Sequence, residues 1–485
     1  MAYLGWLLVG LIIGAIAAAL LVVWLREVTS GREGPALYKR LVSHFSPLPM
    51  DQIVIAERLF PFRIRADLQR AFDGLLGDDT QVLHFCGIRK EYSYEPVKLA
   101  DCLNQTAQYP VVATPPEYEQ LEVGDEQPVQ VLKNGLWLLE RNKVRFAVLL
   151  APAVDPLRQS TALQFQICTP NSCDGNSIRD EFFLQLENLV LKAESYRGKI
   201  LSIEQSDYSY SGAANGITVH KLRSVERTQV VLPEKTLALL DRNIIQFVKQ
   251  RKQLAQRNQS TKKGILFYGP PGVGKTHTIH YLARALEGHT TLLVSAEQVG
   301  LLGDYMTLAR LLQPSIVVLE DVDLIARERT SMNSVCEEVL LNKLLNEMDG
   351  LKEDADILFI LTTNRPQALE AALAARPGRV DQAIEFPLPD AEGRRKLIAV
   401  YAADVKIEAR LVSNLVERTD GVSAAFIKEL IRRAVQFHIE RNGGSDISEL
   451  DFDGALEEML FSGGSLNLKL LGASGHTPVG FRNPK

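Results

Sequence analysis

Gly269-Pro270-Pro271-Gly272-Val273-Gly274-Lys275-Thr276 is the stretch on which the reading of this 485-residue chain turns. An apolar, strand-like run at 264–268 precedes it and a helix-like run at 277–286 follows. The spacing is one that a triphosphate dictates. Glycines let backbone N–H groups approach a phosphate with no Cβ in the way. The lysine reaches the β- and γ-phosphates, and the hydroxyl after it ligates Mg²⁺. The N-terminus of the following helix adds a partial positive charge aimed at the same anion. The nucleotide-binding residues expected here are Gly269, Pro270, Pro271, Gly272, Val273, Gly274, Lys275, Thr276 and His277, with Thr276 also a ligand of Mg²⁺.

About 45 residues beyond Lys275, Ile316-Val317-Val318-Leu319-Glu320-Asp321-Val322-Asp323 is a buried-strand run that ends in acids. In phosphate-loop ATPases such a strand delivers one carboxylate to the Mg²⁺ shell and its neighbour to the attacking water. Ile360-Leu361-Thr362-Thr363-Asn364 is a second apolar strand with polar residues at its carboxyl end, where ligands of an open parallel sheet sit. Asn364 can hydrogen-bond the attacking water or the γ-phosphate. Arg376-Pro377-Gly378-Arg379-Val380-Asp381 then presents two planar charges on a turn, suited to a phosphate approached from outside.

The rhythm around these motifs is strand, helix, strand, helix. Strands are expected at 265–268, 290–294, 316–319, 357–361 and 383–386, with helices between most of them, notably 334–348. That alternation predicts an α/β fold with a parallel sheet covered on both faces. A long amphipathic helix is expected at 237–256. After Pro389 the pattern is helical only, at 393–402, 407–418, 424–442 and 449–460. The expected domains are an anchor at 1–26, a juxtamembrane linker at 27–50 and a middle α+β accessory or partner-binding domain at 51–228. An ATPase core at 229–389, a helical lid at 390–462 and a flexible tail at 463–485 follow.

The anchor rests on residues 3–25, 23 residues without a charge. As a helix they rise about 34 Å, enough to cross a hydrocarbon core of roughly 30 Å. Trp6 and Trp24 lie near the two ends, and Arg26, Arg32, Lys39 and Arg40 follow. Aromatic residues favour the headgroup layer, and the basic flank puts the bulk of the chain on the cytoplasmic side. A cleaved signal peptide has a basic start and a shorter apolar core. With no Arg- and Ser-rich transit peptide, a bacterial plasma membrane is the expected location.

In the middle domain, 64–76 and 180–193 have helical spacing, and 136–140 and 144–150 read as a hairpin. Residues 163–167 alternate like a strand, while 109–128 and 206–216 have loop composition. The net charge of −5 is spread along the chain without a basic stripe, so no nucleic-acid partner is expected. Five scattered cysteines include one close pair, Cys168 and Cys173, without the two-residue spacing of zinc knuckles, and there is no His-Glu-x-x-His.

In order and spacing, the motifs at 269–276, 315–323, 327–329, 346–350, 362–366 and 376–381 resemble the AAA ATPase family over roughly residues 232–462. Gly421-Val422-Ser423-Ala424-Ala425 looks like that family's lid-helix entry, which places Ser423 and Ala424 beside the nucleotide. The resemblance implies a ring, usually a hexamer, with ATP bound between subunits. By that likeness Arg376 and Arg379 are arginine fingers acting on a neighbour's nucleotide, and Asn364 is the first sensor. The family has Asp then Glu at the end of the acidic strand, whereas this chain has Glu320 then Asp321. Glu320 is accordingly assigned to the Mg²⁺ shell and Asp321, one methylene shorter than Glu, to the water. Where threading members carry a pore aromatic this chain has Gln298, with Tyr305 nearby. The membrane-anchored AAA proteases carry a zinc-protease domain after the lid; about 23 residues remain here, without the zinc motif. In architecture the chain is similar to the mitochondrial inner-membrane AAA translocases of the Rieske protein.

The expectation is therefore a membrane-anchored, Mg²⁺-dependent ATPase that works as a homo-oligomeric ring on a protein partner. The alternative is a nucleotide-gated membrane scaffold or switch with little hydrolysis.

Overall fold

The computed structural model describes residues 36–77, 79–91, 95–104, 109–155, 160–203, 216–325, 346–347, 350, 355–367, 379–403, 405–441 and 446–459. The expected membrane span at 3–25, the loop at 206–215, most of the helix at 334–348, Arg376 and the tail at 463–485 lie outside them. Among the described residues no helix is long and apolar enough to cross a membrane.

The chain divides into two compact units, Met1–Ser195 with Tyr208–Asn215, and Tyr196–Asp207 with Gly216–Lys485. This differs from the boundary expected at 228. Residues 196–203 and 216–228 fold with the second unit, because two short strands in them extend its sheet.

The first unit is an antiparallel sheet. Its strands are β1 (Ile53–Pro61), β2 (Gln81–Lys90), β3 (Val111–Thr114), β6 (Gly135–Arg141), β7 (Val144–Asp155) and β8 (Ser160–Pro170). Their order is β1-β8-β7-β6-β2-β3, and β4 (Tyr118–Leu121) pairs separately with β5 (Val129–Leu132). The β6–β7 hairpin turns at Asn142 and Lys143, whose φ values of 53° and 66° give the twist that a two-residue hairpin needs. Helix α1 (Ala36–Phe45) lays Leu37, Leu41 and Phe45 against Leu136, Leu138, Ala147, Leu149 and Cys168 of the sheet. Helices α2 (Arg65–Leu75) and α3 (Cys173–Lys192) contribute an aromatic cluster, in which Phe72 meets Trp137 at 4.6 Å, Phe165 at 5.2 Å and Phe182 at 6.2 Å between centroids. Helix α3 begins seven residues before the expected 180, because the Ser172 hydroxyl accepts the Gly175 N–H at 3.1 Å and caps it. Residues 109–128 are not wholly loop, since β3 pairs with β2 and β4 with β5. Cys168 is buried in the core and Cys173 is exposed at the start of α3. Among the described residues no three His, Cys, Asp or Glu side chains are grouped to hold a metal.

The second unit carries β9 (Ile200–Ile203), β10 (Ile217–Val219), β11 (Lys263–Tyr268), β12 (Thr290–Val294), β13 (Ser315–Leu319), β14 (Ile357–Thr363) and β15 (Gln382–Glu385). Their order is β10-β9-β12-β13-β14-β11-β15. All neighbours from β9 to β15 run parallel, and β10 is antiparallel to β9. Every residue of β13 and β14 is buried, as a parallel sheet covered on both faces requires. Helix α4 (Lys275–Ala285) follows β11 and α5 (Leu302–Leu311) precedes β13. The helical stretch from Glu234 to Ala255 contains one π turn, Asp241–Gln246, and packs Leu240 and Ile244 on the sheet core with Ile265, Phe267 and Ile384. Helices α6 (Ala391–Tyr401), α7 (Ala409–Arg418), α8 (Ala424–Glu440) and α9 (Glu449–Glu457) form a separate apolar cluster around Leu415, Phe426, Leu430 and Phe452.

Candidate nucleotide site

The site lies at the carboxyl ends of the parallel strands, and β11 is its centre. The strand is flanked by β14 and β15, neither its neighbour in sequence, so its carboxyl end opens at a crossover where ligands of such sheets sit. The loop that leaves it is shaped by glycine. Gly269 has φ 149°, and a Cβ there would stand 2.1 Å from the Phe386 carbonyl oxygen. Gly272 has φ 77°, and a Cβ there would meet Ala425 at 2.9 Å and the Ser423 hydroxyl at 3.0 Å. The Ala425 N–H also donates to the Gly272 carbonyl at 3.0 Å, tying the start of α8 to the loop. Ser423 is fully buried and caps α8 by accepting the Phe426 N–H at 3.2 Å.

Lys275 opens α4 and folds back under the loop. Its ammonium donates to the carbonyls of Gly269 at 2.8 Å and Pro270 at 2.9 Å, and to Asn364 Oδ1 at 2.8 Å. The other end of the same amide, Asn364 Nδ2, donates to Asp321 Oδ1 at 2.9 Å. One side chain from the end of β14 thus links the loop lysine to the second acid after β13. The neighbouring Thr276 hydroxyl donates to Glu320 Oε1 at 2.8 Å. Hydroxyl and carboxylate oxygens paired in this way are the hard donors that Mg²⁺ prefers. Asp323 is buried and serves the scaffold, accepting from the Thr363 hydroxyl at 2.8 Å and the Asn364 N–H at 3.0 Å.

A cavity of about 360 Å³ extends from the loop to α6 and α8. Pro271 to Thr278, Asp321 and Asn364 line its polar part, while Val230, Val231, Leu232, Leu397 and Tyr401 line an apolar part. Ala424, Ala425 and Lys428 complete it from α8. Leu397, Tyr401 and Lys428 were not singled out in the sequence, where apolar positions on lid helices read as core. His277 also lines the cavity and bonds the Gln229 carbonyl through Nε2 at 3.2 Å. Burial holds its pKa below the usual histidine range, with that hydrogen bond acting the other way. Arg379 is described and stands two residues before Asp381, whose carboxylate accepts the Gly264 N–H at 2.7 Å. It is not among the lining residues of its own cavity.

Burial pushes the Lys275 ammonium down to about 8, opposed by the charges of Asp321 and Asp323. The protonated form is the one that attracts phosphate, so affinity is present below that value and lost as pH rises through it. ATP affinity is expected to fall about tenfold per unit above pH 8, until the value in the complex is reached. Titration of a fluorescent ATP analogue at pH 7, 8 and 9 measures this, and a flat profile contradicts it.

The sequence of residues 265–388 matches the family model described as ATPase family associated with various cellular activities (AAA). These residues form an AAA ATPase domain. The chain is 33% identical over 208 residues to the proteasome-activating nucleotidase of Methanosphaerula palustris, covering 40% of this chain and 50% of that one. It is 34% identical over 209 residues to the enzyme of the same name from Pyrococcus horikoshii, covering 41% and 52%. It is 27% identical over 292 residues to the ATP-dependent zinc metalloprotease FtsH 2 of Thermoanaerobacter sp., covering 58% and 56%. The chain spans about half the length of the curated relatives it matches.

Proposed function

We propose that the protein is a Mg²⁺-dependent ATPase that works as a ring, anchored to a membrane through residues 3–25, and remodels, translocates or disassembles a protein partner there. The observation that carries the reading is the convergence of Lys275, Thr276, Asp321 and Asn364 on the polar part of the cavity, with Glu320 bonded to Thr276. In this reading the loop N–H groups and Lys275 bind the phosphates, and the base lies between Val230–Leu232 and Leu397. Thr276 and Glu320 would hold Mg²⁺, which would neutralise phosphate charge. Asp321 accepts a proton from the water whose oxygen attacks the terminal phosphorus, and the bond to the bridging oxygen breaks to leave ADP. Asn364 orients that water. Arg376 and Arg379 of a neighbouring subunit meet the charge that develops.

Turnover by the purified protein with and without Mg²⁺, beside Asp321→Asn, tests this. General-base loss is expected to lower the rate by about 10²- to 10⁴-fold with ATP binding retained. If wild type and variant both bind ATP and neither turns it over, hydrolysis is not the output and the switch reading replaces it.

One observation favours work without threading. Gln298 donates to the Ile203 carbonyl at 2.8 Å and accepts the Tyr305 hydroxyl at 2.9 Å. Tyr305 is fully buried and its oxygen also accepts the Ile203 N–H at 2.8 Å. The aromatic nearest the expected pore position is therefore locked on β9 and not presented to a polypeptide.

A further inference from the structure

The second of the two acids after β13 sits in an unusual backbone turn. Asp321 has φ 49°, in the left-handed region. Few residues other than glycine adopt it. Asp and Asn do so more readily than others, because their short polar side chains hydrogen-bond locally. Glu320 still belongs to the strand ladder, its N–H donating to the Val294 carbonyl at 3.1 Å. The reversal of direction therefore falls on the second acid.

What holds the turn is a threonine from the adjacent strand. The Asp321 N–H, which has turned out of the ladder, donates to Thr362 Oγ1 at 2.9 Å. Thr362 is buried, with 2% of its surface exposed. Two residues later Asn364 Nδ2 grips the Asp321 carboxylate, so β14 fixes both ends of this residue. The next threonine, Thr363, holds Asp323. The turn from Glu320 to Asp323 is thus bracketed by the Thr362-Thr363-Asn364 end of β14.

We infer that Thr362 is a positioning residue for hydrolysis, holding Asp321 in a left-handed turn that selects aspartate over glutamate as the base. The inference rests on the ATPase reading above. It accounts for the order Glu320-Asp321. In the left-handed turn the carboxylate leaves the backbone in a different direction from an extended residue, and the shorter side chain meets Asn364. A glutamate at 321 is disfavoured by this backbone conformation, and its extra methylene carries the carboxylate past the amide that now fixes it.

The test is ATP turnover and nucleotide affinity of full-length protein carrying Thr362→Val, Thr362→Ser and Asp321→Glu. Valine keeps the shape and removes the acceptor; serine keeps the acceptor. A base that is present but misplaced loses part of its contribution of about 10²- to 10⁴-fold. Thr362→Val is therefore expected to lower kcat about tenfold or more, with affinity for a fluorescent ATP analogue unchanged and serine restoring the rate. Asp321→Glu is expected to be slower than wild type, although it restores the family's usual second acid. Wild-type kcat in Thr362→Val overturns the inference, and so does a serine variant as slow as valine. Should Thr362→Val fail to fold, Asp321→Glu decides: a rate equal to or above wild type overturns the inference. Absence of Mg²⁺-dependent turnover in the wild type overturns the ATPase reading instead.

Discussion

Replacement of Arg379 by alanine is expected to lower steady-state ATP hydrolysis by about 10³- to 10⁵-fold, the range that an arginine finger contributes to phosphoryl transfer. ATP affinity is expected to stay near that of the wild type. The reason lies in where the residue stands. It precedes Asp381, which is pinned to β11 in both directions, its carboxylate accepting the Gly264 N–H at 2.7 Å and its own N–H donating to the Gly264 carbonyl at 2.8 Å. Its backbone is therefore held near the start of β11, whereas the phosphate loop leaves the other end of that strand. Its side chain is not among those lining the cavity of its own subunit. In the proposed ring, a cation so placed acts on a nucleotide held by a neighbouring subunit. Parallel measurement of kcat and of fluorescent-nucleotide affinity checks the expectation, and normal turnover contradicts it.

Lys275→Ala is expected to behave differently, with both ATP binding and hydrolysis lost. The side chain is 7% exposed and its ammonium is aimed under the loop by three acceptors. Contact with an anion replaces some of these bonds by ones in which donor and acceptor are both charged. Removing the cation is expected to weaken ATP binding by about 10²-fold or more, near 3 kcal/mol. Thermal unfolding gives an independent readout. Saturating ATP and Mg²⁺ raise the wild-type midpoint through binding to the folded state, and the variant is expected to show no shift. A variant whose midpoint rises as the wild type does contradicts the role of Lys275.

The contrast between these two variants reflects what was legible in the sequence. Residues 269–276 could be read because a polyphosphate fixes the spacing of glycines, lysine and hydroxyl within one turn of chain. The strands expected at 265–268, 290–294, 316–319 and 357–361 could be read because buried parallel strands are continuous apolar runs bounded by polar residues, as in β13 and β14. Strands β9 and β10 could not. They are four and three residues long, and β9 finds its place against β12, where Ile200 and Leu201 pair with Thr291 and Leu292, some ninety residues away. No local pattern records such a pairing, so the unit boundary was set too late. In the first unit β1 and β2 escaped for a related reason. Both are mixed in burial and carry charges, Glu57 and Arg58 in one and Arg89 and Lys90 in the other, which mask the alternation.

The site itself was legible only in part. Glu320, Asp321 and Asn364 announced themselves as polar residues at strand ends, and the structure brings them to Lys275 and Thr276. Thr362 did not, because a threonine in a strand reads as a β-former, and its partner is a backbone N–H freed only by the left-handed turn at 321. The apolar wall of the cavity was likewise hidden. Leu397 and Tyr401 stand four apart on α6, a spacing shared by every residue pair that merely packs a helix. Tyr305, the aromatic near Gln298, has its ring in the core and its hydroxyl bound to β9, which no local pattern records.

That adjoining subunits share each nucleotide is tested most directly by mixing two inactive variants. Arg379→Ala subunits keep their own Asp321, and Asp321→Asn subunits keep their own Arg379. Where an Arg379→Ala subunit holds ATP beside an Asp321→Asn neighbour, the composite site has both groups. Co-assembled mixtures are predicted to recover Mg²⁺-dependent turnover, at a level that depends on the ratio and exceeds either variant alone. Mixtures that co-assemble and bind ATP yet stay inactive at every ratio would contradict the shared site.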